Sequence, residues 1–586
     1  MEGDLITEEA FGKTTHLERF KLATKVLMGI SGIKKLNALY AKTSHYNGLE
    51  FIEAVFQELR FHFELDETEL NKIPTEGSFI TVSNHPFGAL DGLLLLYIVS
   101  KKRTDFKVMA NFLLKEIKPI EDYFLSVNPF ENRKEASSSL VGTKQALIQL
   151  KNGGGLGIFP AGEVSSFQSH QRHIIDKQWQ TSILKLIKKA KVPVVPIFFN
   201  GSNSLLFHLL GMVHPNLRTL ALPSEMLKKK GTKVKVRIGR PIKVSEQEEW
   251  VKPQDLGRFL RAKTYCLGSS SEVSTYFKEK LKRLKTAKPI ALAKDSLVLI
   301  QEIEKLESYR ILQQAEFELY LCGANQIPNL LHEIGRLREV TFRAVGEGSN
   351  KALDLDEYDF YYQHLFLWDK QNHQLAGAYR LGKGDDILKS HGKKGFYIHS
   401  LFKLKKEFKP ILAQSIEMGR SFVVKEYQQK RLPLFLLWKG IMHFLTSKPE
   451  VKYLIGPVSI SNNYSRFSRM LMVEFIRRFY FNHHLAKWVE PRKQFKVNFK
   501  KVEGGTLLDG AKEDMKKIDQ IISDVEPDHA PLPVLIKKYI RQNAKIIGFN
   551  LDPKFNHALD GLMILDIDDL PKSSIEDLQK DMKVVV

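Results

Sequence analysis

The chain has 586 residues, of which 43% are hydrophobic, and carries a formal net charge of +22 at pH 7. At about 100–200 residues per domain this length predicts two or three domains, and the apolar content excludes an intrinsically disordered chain. Two cysteines, Cys266 and Cys322, exclude a disulfide framework and a cysteine-rich zinc site, and indicate a reducing compartment. The start of the chain lacks the apolar stretch of a signal peptide, and no apolar run reaches the ~18–20 residues that span a bilayer.

The positive charge predicts an anionic partner, which would be nucleic acid, anionic lipid or an acidic protein. The sequence has no zinc-finger spacing, no RNA-binding aromatic motif and no helix-turn-helix signature. We therefore expect no nucleic acid among the partners. A basic surface without a dedicated partner stays open as the alternative.

Residues 20–42 form the first segment with helical periodicity. Apolar side chains recur in it at intervals of three and four residues, at Leu22, Val26, Ile30, Ile33, Leu36 and Tyr40. Lysines flank this stripe and the segment contains no acidic residue, which is typical of a helix lying in an anionic membrane interface. The alternative is a helix that packs on its own domain and turns its lysines outward.

A histidine follows the next strand-like run, residues 79–82, and precedes an apolar run, 93–99, that indicates a buried helix. The turn between them contains Asn84, His85, Gly88 and Asp91. A histidine with an ordinary pKa of ~6.5 accepts a proton from a weak acid at neutral pH. A carboxylate on its other ring nitrogen would fix the tautomer. An Asn-His-Pro turn that only shapes the fold is the alternative.

Strand-like and helical runs alternate from residue 78 to residue 242, which predicts an α/β domain. The strand-like runs after the histidine turn are 156–159, 192–199 and 234–241, the last of which we expect to close the domain.

Four short blocks in this region occur in the order found in glycerolipid acyltransferases, which residues 75–245 resemble. The blocks are Asn84-His85 with Asp91, Arg133 in its Asn-Pro-Phe-Glu-Asn-Arg run, Phe159-Pro160-Ala161-Gly162, and Val-Pro-Val-Val-Pro at 192–196. The resemblance implies that His85 is the base that deprotonates an acceptor hydroxyl and that Asp91 orients it. It implies substrate-binding roles for Asn84, Arg133, Phe159, Pro160 and Gly162.

Two departures from the family pattern bear on the acceptor. Five residues separate His85 from Asp91 where the family has four, so we expect Gly88 to absorb the extra residue. The third block has Ala161 in place of a glutamate and Val164 in place of an arginine. Because an arginine binds phosphate through two hydrogen bonds, its loss predicts an acceptor other than lysophosphatidate.

The second half of the chain opens with a predicted helix at 327–343. Four charged residues share one face of that helix, namely Glu333, Arg336, Glu339 and Arg343. An acidic cluster at 354–359 follows, and residues 364–368 and 374–381 predict a hairpin. A salt-bridged surface is the alternative for the helix, and a metal site is the alternative for the aspartates, although calcium-loop spacing is absent.

These segments, over about 300–560, resemble the Gcn5-related N-acyltransferases (GNAT), in the branch of acyl-homoserine-lactone and ornithine-lipid synthases. The matching residues are Arg336, Arg343, Asp356, Asp359, Arg380, Glu417 and Arg420. The resemblance implies an α+β fold, Glu417 as the base that frees an amine, and substrate-binding roles for the other six. It implies neither a metal nor a bound cofactor, and acyl carrier protein or coenzyme A as the carrier of the acyl thioester.

Together the two resemblances predict a bifunctional bacterial aminolipid synthase. We expect a helical, membrane-interface segment at 1–70, an O-acyltransferase domain at 71–250, a helical basic linker at 251–298 and an N-acyltransferase domain at 299–586. The second half would N-acylate an amino acid of ornithine or glycine type, and the first would O-acylate the lyso-lipid product. Expected partners are acyl carrier protein, both substrates and the inner, anionic face of the bacterial cytoplasmic membrane.

Three alternatives remain at this point. The first half is a phospholipid or glycerol-phosphate acyltransferase with an accessory GNAT domain, the chain is a haemolysin-like membrane-active protein without enzymatic activity, or it is a membrane-bound scaffold whose sites have decayed. The haemolysin-like interpretation is disfavoured because the sequence has no signal peptide, membrane span or pore-forming repeat.

Overall fold

The computed structural model describes residues 4–7, 28–29, 31–110, 117–126, 136–168, 173–213, 215–269, 287–448, 450–499, 503–526, 528 and 530–572. The chain divides into two compact units. The first unit contains residues 1–274, 499–512 and 524–529, and the second contains 275–498, 513–523 and 530–586.

The first unit is an α/β domain, as the alternation of strand-like and helical runs predicts. Its strands are β1 (His62–Glu64), β2 (Phe79–Ser83), β3 (Lys107–Ala110), β4 (Phe124–Ser126), β5 (Gly155–Ile158), β6 (Ser166–Gln168), β7 (His173–Ile175), β8 (Val194–Phe199) and β9 (Lys233–Ile238). Its helices up to residue 274 are α1 (Ile33–Thr43), α2 (Gly48–Glu58), α3 (Glu67–Leu70), α4 (Ala89–Ser100), α5 (Ala136–Lys151), α6 (Thr181–Ala190), α7 (Leu205–Val213), α8 (Pro215–Lys228), α9 (Val244–Glu248) and α10 (Pro253–Cys266).

The main sheet of this unit has β2 at its centre, in the order β1-β9-β8-β2-β5-β3-β4. Ile80 of β2 pairs in parallel with Leu156 of β5 on one side and Val194 of β8 on the other. All five residues of β2 are buried, as expected for a parallel strand covered on both faces. The carboxyl ends of β2, β5 and β8 therefore meet at one edge of the sheet, which is where ligands bind in open α/β sheets.

The apolar stripe predicted for a membrane interface packs inside the first unit, as far as its residues are described. Helix α1 buries Ile33 and Leu39, and Leu36 and Tyr40 pack against the core that contains Leu39. The lysines of α1 point outward, as in the packed-helix alternative. Residues 20–27 and 30 lie outside the described residues. Among the residues described, no helix has the length and apolar character needed to cross a membrane.

The second unit is the predicted α+β domain. Its strands are β10 (Arg310–Gln314), β11 (Phe317–Gly323), β12 (Gln363–Asp369), β13 (Gln374–Lys383), β14 (Phe402–Leu404), β15 (Ser415–Val423), β16 (Tyr453–Ile460), β17 (Val489–Pro491), β18 (Lys545–Asp552) and β19 (Ala558–Asp566). The helices along this part of the chain are α11 (Ser296–Ile303), α12 (Pro328–Ala344), α13 (Gly384–His391), α14 (Ile398–Leu401), α15 (Lys409–Ala413), α16 (Arg431–Thr446), α17 (Arg466–Phe479), α18 (His483–Ala486), α19 (Gly504–Ala511), α20 (Met515–Val525) and α21 (Val534–Arg541). The helix predicted at 327–343 and the predicted hairpin correspond to α12 and to the antiparallel pair β12–β13.

The sheet of the second unit has the order β10-β11-β12-β13-β15-β16-β19-β18. All its pairs are antiparallel except β15–β16, which is parallel. That parallel pair holds only over Ser415↔Tyr453, Ile416↔Leu454 and Glu417↔Ile455. The two strands then separate, and each keeps its antiparallel neighbour on the far side. A gap therefore opens in the middle of the sheet.

The unit boundary differs from the predicted domain boundaries in two ways. Helix α10, predicted to lie in a linker, packs against α6 and β8 as part of the first unit. Helix α19 and residues 524–529 also return to the first unit. Ion pairs hold them there: Arg261 binds Glu503 at 3.3 Å and Arg240 binds Asp524 at 3.0 Å. Long-range returns of this kind leave no local periodicity in a sequence.

Candidate active sites

His85 lies in the loop that leaves the central strand of the first unit. Its neighbour Asn84 donates from Nδ2 to the Phe199 carbonyl (2.9 Å) and accepts the Phe199 N–H at Oδ1 (2.8 Å). Asn84 is buried, and this pair of bonds ties the end of β2 to the end of β8. Asn84 was predicted to bind substrate. In the structure its side chain fixes the start of the turn.

The turn brings His85 and Asp91 together despite the extra residue between them. His85 Nδ1 lies 2.9 Å from Asp91 Oδ2, and the same oxygen accepts the N–H groups of Phe87 (2.8 Å) and Gly88 (3.0 Å). Gly88 has φ +89°, a conformation that favours glycine, and α4 starts at the next residue. Burial raises the pKa of Asp91, against the hydrogen bond from His85. Gly88 absorbs the insertion as expected.

Phe159, the residue that follows β5, lies beside the histidine. Its ring stacks on the imidazole of His85 at 4.3 Å between centroids. The Pro160 carbonyl accepts the Gln180 N–H at 2.9 Å, and Gly162 has φ +71° with no room for a Cβ beside the Gln180 amide. Phe159 therefore contacts the histidine directly, whereas Pro160 and Gly162 shape the turn behind it. Arg133 lies outside the described residues.

Asp176 is a buried residue of this site that the sequence interpretation missed. Its Oδ1 accepts the backbone N–H of His85 at 3.2 Å and the hydroxyl of Ser165 at 2.5 Å. The Ser165 N–H in turn donates to the His85 carbonyl at 2.8 Å. Burial raises the pKa of Asp176. As a lone loop carboxylate far along the chain, it matched no motif, yet it holds the backbone of the histidine.

The altered third block leaves an apolar wall near the histidine turn. Ala161 and Val164 are buried, and a Cβ built on Gly88 would lie 3.5 Å from Val164 Cγ2. Glu163 points elsewhere, to Lys177 at 2.7 Å and Arg218 at 2.5 Å. The position at which the family carries an arginine therefore offers hydrocarbon, not a positive charge.

The gap in the sheet of the second unit is a second candidate site. The residues after the last β15–β16 pair line it, including Met418, Gly419, Arg420 and Ser421 on one strand and Pro457, Val458 and Ser459 on the other. Arg420 has φ +52°, and the β13–β15 register shifts at this point. Such a bulge redirects a side chain and ends regular pairing. It leaves backbone groups of both strands available to a ligand.

Glu417, the predicted base for the amine, is the last residue of β15 that pairs with β16. Its carboxylate accepts the Tyr362 hydroxyl, the Tyr397 N–H (3.0 Å) and the Ile398 N–H (2.7 Å). Burial raises its pKa to about 7, against those hydrogen bonds. Its oxygens are therefore occupied by donors of the fold, and its role as the base stays a prediction.

The predicted aspartates and arginines meet in one ion-pair cluster. Arg380 binds Asp356 and Asp359, the second at 3.2 Å. Arg420 lies 3.3 Å from Asp354 and 3.4 Å from Asp356. Burial would raise the pKa of Asp359, but the neighbouring arginine charges outweigh it and hold that pKa well below its ordinary value. The aspartates are thus neutralised by arginines.

The helix arginine that reaches this cluster is Arg338, a residue the sequence interpretation missed. Arg338 is fully buried and binds Asp359 at 2.6 Å. Arg336 and Arg343 instead pair with Glu333 (2.6 Å) and Glu339 (2.8 Å) on their own helix. They lie on the salt-bridged face of the helix and do not join this cluster, and their substrate-binding roles stay predictions.

The signal for Arg338 was present in the helical pattern. It lies four residues after Ile334 and seven residues after Leu331, two buried apolar positions of α12, so it must be buried with them. A charge on the apolar stripe of a helix requires a buried partner of opposite charge.

Two further carboxyl groups of this unit were not predicted as site residues. Asp560 lines the gap, and Glu347 accepts the hydroxyl of Ser459, another lining residue, at 2.8 Å. Burial raises the pKa of Glu347 to about 7. Burial, with Asp552 and Glu347 nearby, raises the pKa of Asp560 well above its ordinary value.

Two family models match the chain. Residues 5–274 match the model described as "Acyltransferase", and residues 337–438 match the model described as "Acetyltransferase (GNAT) domain". The matched ranges contain His85 with Asp91 and the arginine–aspartate cluster, respectively.

The chain is similar to curated bacterial proteins of two kinds. Glycine N(alpha)-acyltransferase of Phocaeicola vulgatus is 31% identical over 256 residues, 42% of this chain and 77% of the relative. The protein of that name from Bacteroides thetaiotaomicron is 28% identical over 288 residues, 47% of this chain and 84% of the relative. Lyso-glycine lipid O-acyltransferase of Phocaeicola vulgatus is 26% identical over 270 residues, 45% of this chain and 93% of the relative.

A solved structure also matches part of the chain. The 1-acyl-sn-glycerophosphate acyltransferase of Thermotoga maritima covers 36% of this chain and 77% of its own, at 18% identity and a TM-score of 0.22. At that score it carries no argument here.

The buried pair of Arg338 and Asp359 yields a stability prediction. Arg338→Met leaves a buried carboxylate without its nearest cation, so we expect the second unit to lose about 3–5 kcal/mol of stability. The matched control Arg336→Met breaks a pair at the edge of the same helix and should cost about 0–1 kcal/mol. Hydrogen exchange of β12 and β13 measures both; equal exchange in the two variants would contradict the assignment.

Proposed function

We propose that this chain, which belongs to the family of the glycine N(alpha)-acyltransferases, performs two successive acyl transfers in the synthesis of a glycine lipid. The second unit would attach a 3-hydroxyacyl chain to the amine of glycine. The first unit would then acylate the hydroxyl of that chain, as the name of the lyso-glycine lipid O-acyltransferase relatives indicates. One chain would therefore carry both activities, and the product of the second unit would be the substrate of the first.

The chain is an acyltransferase with an acyltransferase domain followed by a GNAT domain. The observation that carries the proposal for the first unit is the 2.9 Å contact between His85 Nδ1 and Asp91. It leaves Nε2 without a hydrogen-bond partner among the described residues, on a side chain that is 18% exposed. The free nitrogen can therefore meet a substrate.

The reaction that we propose for this pair, the O-acylation, is general-base catalysis at a hydroxyl. Nε2 of His85 takes the hydroxyl proton while the oxygen attacks the carbonyl carbon of an acyl thioester. The C–O bond forms, the C–S bond breaks, and the imidazolium returns the proton to the leaving thiolate. Asp91 keeps the proton of Nδ1 in place and stabilises the imidazolium. No metal is needed to balance this step.

The apolar side chain of Val164 near the histidine turn is evidence for an acceptor that carries no phosphate. A lyso-glycine lipid carries a carboxylate and a long hydrocarbon chain. Hydrocarbon at Val164 suits that chain, whereas a phosphate there would lose the two hydrogen bonds that an arginine supplies. This also disfavours the glycerol-phosphate acyltransferase alternative.

The gap between β15 and β16 supports acyl transfer to an amine in the second unit. The pantetheine arm of either carrier contains two amide groups, and unpaired strand edges bind amides through N–H and C=O groups. An arm lying in the gap would place its thioester beside Arg420 and Asp560. We propose acyl carrier protein or coenzyme A as the donor, and the net charge of +22 favours the acidic carrier protein.

We further propose that the first unit docks on the anionic inner face of the cytoplasmic membrane through α7. This helix contains no Asp, Glu, Lys or Arg, and it exposes Leu205, Leu206, Leu209 and Met212 along one side. Glu225 binds both Ser204, just before α7, and the exposed Lys228 at 2.7 Å. An apolar face bordered by lysine fits an anionic bilayer surface.

The role of His85 is tested by the lipids formed in vitro. With purified full-length protein, 3-hydroxyacyl donor and glycine, His85→Ala should lower the O-acylation rate by about 10²–10⁴ and accumulate the monoacylated product. Asp91→Asn should fall in the same range because the tautomer is lost, whereas Asp105→Asn, an exposed carboxylate of the same unit, serves as the control. Mass spectrometry reads both products; undiminished diacylation by His85→Ala would remove it as the base.

The role of α7 is tested by vesicle flotation. The double variant Leu206→Ser/Leu209→Ser removes two inserted side chains, each worth about 1.5–3 kcal/mol when buried, so binding to phosphatidylglycerol vesicles should fall at least ~10²-fold. The control Val141→Ser/Val251→Ser removes exposed apolar residues elsewhere in the first unit and should bind normally. Equal flotation of both variants would move the docking surface away from α7.

A further inference from the structure

Asp560 presents an unexplained carboxyl group to the pocket of the second unit. Asp560 is only 5% exposed and lines the gap between β15 and β16. Among the described residues it has neither a hydrogen-bond partner nor an ion-pair partner. A buried carboxylate without a partner is costly, so this group is suited to a cation that arrives with a ligand.

A proton acceptor lies directly beside it. Ser459 pairs with Asp560 across the two neighbouring strands, which places their side chains on the same face of the sheet. The Ser459 hydroxyl lines the pocket and donates to Glu347 Oε2 at 2.8 Å. A proton leaving the pocket therefore has a two-step route, through a hydroxyl to a carboxylate.

The loop that carries Glu347 is fixed by hydrogen bonds. The Val345 carbonyl accepts from Ser461 (2.6 Å) and Asn463 (3.1 Å), and the Gly346 carbonyl accepts from Asn556 (2.7 Å). Groups held in this way need no rearrangement during a reaction. The carboxylate of Glu347 is thus preorganised toward Ser459.

A positive group completes the pocket. Arg420 lines the same gap and lies close enough for its charge to act on Asp560. Its Nε and Nη2 face Asp354 and Asp356, while Nη1 has no hydrogen-bond or ion-pair partner among the residues described. A carboxyl, a hydroxyl and a guanidinium around one small space complement an α-amino acid, whose ammonium and carboxylate are two bonds apart. In the described part of the chain, no group of three His, Cys, Asp or Glu residues has the arrangement of a metal site.

Aromatic rings restrict what else the pocket accepts. Five of them line it: Phe342, Tyr379, Tyr397, Tyr539 and Phe555. Rings of this bulk narrow the space around Arg420 and Asp560, and a narrow space suits a small amino acid such as glycine.

We propose that Asp560 and Arg420 bind the ammonium and the carboxylate of glycine, and that Ser459 transfers a proton from that ammonium to Glu347. This inference rests on the proposed N-acylation. Glu417 then acts as a positioning residue: its carboxylate holds the N–H of Tyr397, and the Tyr397 ring contacts Arg420 at 5.0 Å.

The step balances without a further reactant. Ser459 gives its hydroxyl proton to Glu347 and takes one from the ammonium, which becomes a neutral amine. The nitrogen lone pair attacks the thioester carbonyl, the C–N bond forms, and the C–S bond breaks. The second proton on nitrogen passes to the leaving thiolate, and Glu347 later releases its proton to water.

The role of Asp560 is tested by measuring how the enzyme recognises the ammonium group of glycine. With purified full-length protein, Asp560→Asn should raise the KM for glycine by about 10² or more, because the buried pair loses one charge. Glycolate, which replaces the ammonium with a hydroxyl, should inhibit Asp560→Asn at least as well as the wild type. Asp568→Asn, an exposed carboxylate after β19, is the control and should behave as the wild type. An unchanged KM with unchanged glycolate inhibition would overturn the assignment.

The test for Glu347 is the pH dependence of N-acylation. A base with a pKa of about 7 is protonated and inactive below that pH, so the wild-type kcat should rise as pH increases through about 7. Glu347→Gln should lower kcat by about 10²–10⁴ and remove this rise, while the KM for glycine changes little. Glu347→Asp should recover part of the activity. A retained rise in Glu347→Gln, lost instead in Glu417→Gln, would assign the base to Glu417.

Two experimental outcomes distinguish a failure of the proposed N-acylation from a failure of the proposed residue roles. A wild-type protein that acylates no amino acid would overturn the proposed function and this inference together. A wild-type protein that acylates glycine while Asp560→Asn and Glu347→Gln match it would overturn this inference alone.

Discussion

One carboxylate oxygen organises the site of the first unit. Oδ2 of Asp91 accepts the imidazole Nδ1 of His85 and the backbone N–H groups of Phe87 and Gly88, so the group that orients the base also closes the turn that presents it. The buried bonds of Asn84 to Phe199 and of Asp176 to the His85 backbone hold the two sides of the same turn. A strand at the centre of a sheet, covered on both faces, supplies a fixed end from which such a turn can start.

The second unit buries many charged side chains beside the open edge between β15 and β16. Its arginines and aspartates neutralise one another, and tyrosine rings pack against the guanidinium of Arg380 at 5.3–5.5 Å. Removing one member of such a cluster leaves uncompensated buried charge, which destabilises the fold. Asp560 stands apart because no described group binds it through a hydrogen bond or an ion pair, and burial raises its pKa well above the ordinary value. The contrast separates the charges that maintain the fold from the charge that awaits a ligand.

The sequence predicted the parts of the fold and the site that follow local rules. The α/β and α+β classes, the strand at 79–82, the helix at 327–343 and the hairpin after it are confirmed because each follows from the order of apolar and polar residues within a short segment. The order of short blocks correctly led to the pairing of His85 with Asp91. Arg338 was missed because two other arginines on its helix were more conspicuous. Asp176, Glu347 and the return of α19 to the first unit depend on contacts between distant segments, which no local pattern encodes.

The central claim is that one chain makes a diacylated, phosphate-free glycine lipid. The most direct measurement is mass spectrometry of the lipids from a bacterial host that lacks aminolipids and expresses this chain. The account predicts a new lipid that contains glycine in amide linkage and a second acyl chain in ester linkage. New acylated phospholipid without any glycine-containing lipid would contradict it.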